Sequence, residues 1–220
     1  MITPLRRPPG RARLRDRPKT MTGTARRAPW ILARSAQGAT AAAAVADAFR
    51  AAAVRDHHLR PTDASLHRSG FVSMIFVYLM TLAVALFLVW LARSRGNAQE
   101  LSPGAPVPGR GWTIGAWFIP VVNFFVPRRL VLDIGSASSA SWGRKRDTTL
   151  VNLWWAAWIA HAVVLVAGSR VAPGSMAFLV VAETFMIAAA VLLGLVIERV
   201  TTLQSAALGA GVPVAPPART

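Results

Sequence analysis

The sequence has no cysteine, one tyrosine and only 9 acidic residues in 220. Without cysteine there is no disulfide framework, no thiol nucleophile and no thiolate metal site, which excludes a small stapled secreted domain. Charged residues make up 15% of a chain that is 54% hydrophobic. An ordinary soluble domain carries about 25% charge, so this chain cannot clothe a water-facing surface around a single core. A Gly-rich phosphate loop closed by Lys and a paired-His HExxH helix are also missing. The expectation is a protein without catalytic centre, cofactor or bound metal.

The charge that is present has mostly one sign. Lysine and arginine number 25, for a formal net charge of +16, and residues 1–70 hold 14 of them against 4 acids. Residues 1–38 set Arg6-Arg7 and Arg26-Arg27 among Pro8, Pro9, Pro18 and Pro29. Proline blocks helix and like charges repel, so 1–38 reads as a disordered basic tail. Such arginines suit anionic lipid. With no aromatics interleaved among them, they argue against a nucleic-acid partner. The apolar run after Arg26-Arg27 is 6 residues long before Arg34, short of the roughly 7–15 of a signal peptide. Residues 39–70 read as an alanine-rich helix, over 39–55, and a linker. Asp47 and Arg50 argue against that helix crossing a membrane, and His57, His58 and His67 lack metal-ligand spacing. Residues 206–220 read as a second disordered tail.

The membrane domain is placed at 71–205. Its first span, Phe71–Leu91, runs 21 residues without a charge, ~30 Å at helical rise, the thickness of a hydrocarbon core. Trp90 is expected at the interface, with Arg93 and Arg95 in the headgroups. Two further spans are expected at 149–168 and 175–197, and the short turn through Arg170, Pro173 and Gly174 makes them an antiparallel hairpin. The stretch 112–134 differs. Its uncharged part, Trp112–Val126, has only 15 residues, is interrupted by Pro120, and runs into Pro127 and Arg128-Arg129. It is expected to form a broken, re-entrant or interfacial helical segment, with Asn123 capping the interrupted backbone. The fold class is an all-α integral membrane protein: three transmembrane helices, one Pro-broken segment and a basic tail.

Two ionisable residues lie inside spans, His161 and Glu183, and such residues are costly enough to be functional candidates. His161 stands 7 residues before Gly168 and Glu183 stands 8 after Ser175, depths of ~10 and ~12 Å from the shared turn. Matching depth predicts that the two side chains meet. The pair reads as interhelical glue worth about 0.6–2 kcal/mol, or as a proton relay or cation site. Trp154, Trp158, His161 and Leu165 share one helical stripe, suited to packing and interface anchoring. Ala156 with Ala160, and Ala190 with Gly194, have the spacing of close helix contacts.

Gly111-Trp112, Trp117-Phe118-Ile119-Pro120, Asn123 and Pro127 carry a resemblance. Together with Arg93-x-Arg95-x-Asn97, Trp154-Trp155-x-x-Trp158 and Arg199-Val200-Thr201-x-Leu203-Gln204, they resemble the signature of an actinobacterial membrane family, domain of unknown function 4328. The resemblance covers roughly residues 65–205. It implies a location and a fold and supplies no catalytic residues. Members usually carry a further span upstream of the first; here the Arg/Pro tail stands in that place.

These readings predict a small multi-pass protein of the bacterial inner membrane with a structural, scaffold or sensing role. The alternative is a small transporter or channel subunit using Glu183 and His161. Its partners are the bilayer, with anionic lipid at the basic loops, and a second copy or another membrane protein. Orientation is split. If 112–134 spans, charge counting puts the tail inside. If it does not, the eight bases from Arg93 to Arg146 lie together inside and only the tail conflicts. Truncation to Met21 removes the cluster from Arg6 to Lys19 and should leave membrane integration unchanged in a carbonate-extraction assay.

Overall fold

The computed structural model of the chain describes residues 28–119, 122–143 and 145–210. The tail expected at the N-terminus up to residue 27, Pro120, Arg144 and residues 211–220 lie outside the described residues. The elements are α1 (Trp30–Leu59), α2 (Asp63–Leu101), α3 (Arg110–Gly115), a single 3-10 turn (Val122–Phe124), α4 (Val126–Ser138), α5 (Lys145–Val171) and α6 (Met176–Ala210). Three of them, α2, α5 and α6, are long and apolar enough to cross a membrane, as the fold class requires.

The helix limits follow from caps and prolines. Helix α1 starts at Trp30, so residues 30–38, expected in the tail, are helical. Pro29 sits at its N-cap, no proline interrupts it, and Pro61 follows its end. Helix α2 starts within the expected linker because Thr62 and Ser65 cap each other. The Ser65 N–H donates to Thr62 Oγ1 at 3.1 Å, and the Thr62 N–H donates to Ser65 Oγ at 3.0 Å.

Four long helices form one bundle. Contacts fix their directions. On α1 and α6, Arg34 meets Glu198, Gln37 donates to the Gly194 carbonyl, and His58 lies against Gly174. One number rises as the other falls, so the two helices are antiparallel. On α5 and α6, His161 meets Ala182 and Asp147 meets Arg199, again antiparallel. Trp90 and Asn97 of α2 pair with Thr201 and Gln204 of α6, so α2 runs parallel to α6. The bundle therefore has a hairpin end, holding the α1–α2 and α5–α6 turns, and an opposite end holding the start of α1 and the close of α6. The place upstream of the first span is filled by α1.

The stretch 110–138 is broken as expected. Helices α3 and α4 have 6 and 13 residues, ~9 and ~20 Å long, too short for a core of ~30 Å. Helix α4 runs beside α5, Arg128 donating to Asn152 Oδ1 at 2.7 Å, and closes at the end opposite the hairpins. There Gln204 joins three helices: its amide donates to the Ser94 carbonyl at 2.8 Å and to Ser138 Oγ at 2.9 Å, and its oxygen accepts from Asn97 at 3.2 Å. Arg199 forks onto Asp147 at 2.9 and 3.1 Å.

Three expectations are corrected at this end. Trp90 is fully buried and its indole donates to Thr201 Oγ1 at 3.1 Å, so it is core and not an interface anchor. Arg95 is buried too, and its Nε donates to the Pro108 carbonyl; Arg93 alone of the two is exposed. The reason is that α2 continues helical to Leu101 with α6 beside it. Gly194 does not make the close helix contact: a Cβ built there meets nothing within 4 Å, whereas one on Gly168 comes within 2.8 Å of the Phe178 Cβ. Gly168→Val should therefore lower stability by about 1–3 kcal/mol through overpacking. Gly194→Ala should be neutral or add up to about 1 kcal/mol of helix propensity. Thermal unfolding of the two variants in detergent checks the opposite signs.

Candidate functional site

Helix α1 wears its apolar side chains outward. Val45 and Phe49 are 58% and 66% exposed, while Asp47 between them is 0% exposed. The order is the reverse of a soluble amphipathic helix, whose charges face water. Asp47 points into the bundle, and a carboxylate there requires partners. Arg50, one turn on, donates from Nε to Asp47 Oδ1 at 2.7 Å, and its second nitrogen lies 2.5 Å from the same oxygen. The Arg50 guanidinium also rests 4.7 Å over the Phe76 ring of α2, which lets a cation sit among apolar groups.

The other Asp47 oxygen faces α5. His161 Nε2 lies 3.7 Å from Asp47 Oδ2, too far for a hydrogen bond and close enough for an ionic contact. The other ring nitrogen, Nδ1, is 2.9 Å from the Ala182 carbonyl of α6. A carbonyl only accepts, so Nδ1 carries a hydrogen. A neutral imidazole then presents the Nε2 lone pair to Asp47, two acceptors face to face. A proton taken up between them makes the contact attractive. Asp47 and His161 thus tie α1, α5 and α6 together through a contact whose sign depends on one proton.

Glu183 is beside this group and not hydrogen-bonded into it. It is 8% exposed, and neither carboxylate oxygen has a hydrogen-bond partner among the described residues. Asp47 and Arg50 are the charged groups acting on it. Of the expected pair, His161 has its polar contacts with Asp47 and the Ala182 backbone, immediately before Glu183 in sequence. Sequence reasoning missed Asp47 and Arg50, which it took only as obstacles to a membrane helix. The signal was present: an acid and a base three apart, flanked by Val45 and Phe49, is a paired charge within an apolar helix.

The aromatic positions gather elsewhere. Trp117, Trp154, Trp155, Phe87 and Phe118 line a cavity of about 200 Å³ between the long helices. Phe87 and Trp117 meet edge to face at 5.1 Å, and Trp154 and Trp155 at 5.4 Å, the arrangement aromatic pairs prefer. Trp155 donates to the Phe124 carbonyl at 3.0 Å and so holds the broken segment to α5. Trp158 and Asn123 also reach this wall. The Asn123 side-chain oxygen is buried and has no hydrogen-bond partner among the described residues, and its backbone N–H bonds the Ile119 carbonyl. Trp112 and Ile119 are exposed and Pro127 is buried in the first turn of α4. Pro120 lies outside the described residues. Among the described residues no group of three His, Asp or Glu is placed to hold a metal.

Residues 55–202, about two-thirds of the chain, match the family model described as "Domain of unknown function (DUF4328)". No curated protein and no solved structure matches the chain. The staples at Asn97, Arg199 and Gln204 account for several positions of the resembling signature, since each joins its helix to at least one other.

While the Asp47–His161 contact holds its proton, removing either side of it should remove most of the same energy. Asp47→Asn with His161→Gln should therefore fall short of additive destabilisation by about 0.5–3 kcal/mol in a double-mutant cycle. Glu183→Gln, which neutralises an unbonded buried acid, should unfold at the same temperature as the parent or above it.

Proposed function

We propose that this chain, which belongs to the domain of unknown function 4328 family, is a non-catalytic sensing protein of the bacterial inner membrane. In this reading α1 lies in the bilayer as a fourth crossing helix. The observation that carries it is the inverted α1: Val45 and Phe49 outward, Asp47 buried between Arg50 and His161. Pairing supports it, because a charge held by a partner inside a bundle is tolerated where a lone charge facing lipid is not.

The fourth crossing also removes the conflict over orientation. The start of α1 and the chain segments that carry Arg93, Arg95, Arg110, Arg128, Arg129, Lys145 and Arg146 then lie at one end, against Arg60, Arg68 and Arg170 at the hairpin end. The positive-inside rule puts the basic end in the cytoplasm, where anionic headgroups attract it. A sensing role follows from the Asp47–His161 contact. It alternates between repulsive and attractive with one proton and joins three helices, so protonation would shift how α1 packs.

The rival reading, a small transporter using Glu183 and His161, predicts flux. Purified protein in liposomes with an internal pH dye should show no acid-driven proton flux above empty vesicles. Its α1 packing, read as protease protection of residues 30–59, should change on acidification and lose that change in His161→Gln. A flux abolished by Glu183→Gln would favour the transporter.

A further inference from the structure

A second cavity, of about 280 Å³, lies between α1 and the α5–α6 hairpin. It is walled at the hairpin end by Gly174, His58 and Arg55, and it reaches down to Leu179, Arg50 and Glu183. At ~30 Å³ per molecule it has room for several waters. At its floor stands a carboxylate, 8% exposed, with both oxygens lacking a hydrogen-bond partner among the described residues.

The walls decide what such a floor can take. A hard metal cation needs several oxygen ligands, and among the described residues Glu183 is the only acid lining this cavity, beside Arg50 and Arg55. Those guanidiniums repel a second cation from the same space. An anion meets Glu183 itself. A proton needs no ligand shell, travels through water, and on bonding to an oxygen removes the charge that the bundle leaves unpartnered.

We infer that Glu183 is a proton-binding site loaded through this cavity from the hairpin face alone. Toward the other end, the next turns of α6 present buried, apolar Met186 and Ala189, side chains that offer water nothing to bond. The charged groups acting on Glu183 are Asp47 and Arg50 on α1, Arg55 of α1 lines the same cavity, and His161 of α5 lies against Asp47, so a proton that arrives meets the helix-joining contact. This inference rests on the sensing reading and adds which compartment is sensed: the one outside the hairpin end.

The absence of cysteine makes the test clean. Single cysteines are placed in the full chain at Leu179, Glu183 and Ala189, with Val171→Cys and Ser136→Cys, both at exposed positions, marking the two faces. A membrane-impermeant methanethiosulfonate is applied to each side of oriented vesicles and read by mass. Leu179→Cys and Glu183→Cys should be modified only from the face that modifies Val171→Cys, and Ala189→Cys from neither. Leu179→Cys keeps Glu183 and guards against misfolding of the charge variant. Modification from the Ser136 face, labelling of Ala189→Cys, or no labelling of Leu179→Cys would overturn the path. Proton binding itself is read by infrared: a protonated-carboxyl band should follow pH and vanish in Glu183→Gln, and its persistence in that variant would overturn the site. Acid-driven flux in liposomes would instead defeat the sensing reading while leaving the side of access standing.

Discussion

A buried aspartate is the constraint on which the bundle turns. Asp47 has no access to solvent, and an ionised carboxyl in that position is destabilising by several kcal/mol unless it is paired. Arg50 on its own helix and His161 across the interface supply the pairing. In the proposed four-helix crossing, α1, with its arginines and modest hydropathy, would without them have no reason to leave water. With them it presents Val45 and Phe49 outward and fits against α2 and α6. The polar cluster therefore does for α1 what the hydrophobic effect cannot do inside lipid, where apolar surface gains nothing from burial against other apolar surface.

The two ends of the molecule are built differently, and the difference suits a sensor. At the basic end, Gln204, Asn97, Ser138, Arg199 and Asp147 form hydrogen-bonded links among α2, α4, α5 and α6, and the buried atoms left unbonded there, Asn97 Oδ1 and Ser94 Oγ, are neutral. Cross-links of that kind hold helices together. Toward the hairpin end the unbonded groups are ionisable: both Glu183 oxygens, Asp47 Oδ2 and Arg55 Nε lack hydrogen-bond partners among the described residues. In the sensing proposal, protonation at the hairpin end would shift α1 and the hairpin against the cross-linked base.

The architecture was legible in the sequence wherever hydropathy alone decided it. The uncharged run 71–91 and the turn at Pro173-Gly174 were enough for α2 and for the α5–α6 hairpin, and the prolines at 120 and 127 foretold a broken segment between them. What could not be read was partnership. Trp90 near the end of an apolar run looks like an interface anchor, and only the parallel course of α6 brings Thr201 to its indole. His161 and Glu183 have matched depth in sequence, but helix rotation and the arrival of α1 gave His161 a different acid. Asp47 and Arg50 misled because hydropathy averages count charges without asking whether they cancel.

The central claim is that α1 lies in the bilayer with its charges turned inward. A nitroxide attached at Phe49→Cys in proteoliposomes tests it directly through collisions with dissolved oxygen and with a water-soluble nickel chelate. Oxygen concentrates in lipid and the chelate in water. The account predicts strong oxygen relaxation and weak nickel relaxation at residue 49, comparable to a label at Val77, an exposed position within the apolar stretch of α2. Strong nickel relaxation at residue 49, with Val77 still lipid-like, would place α1 outside the membrane and contradict it.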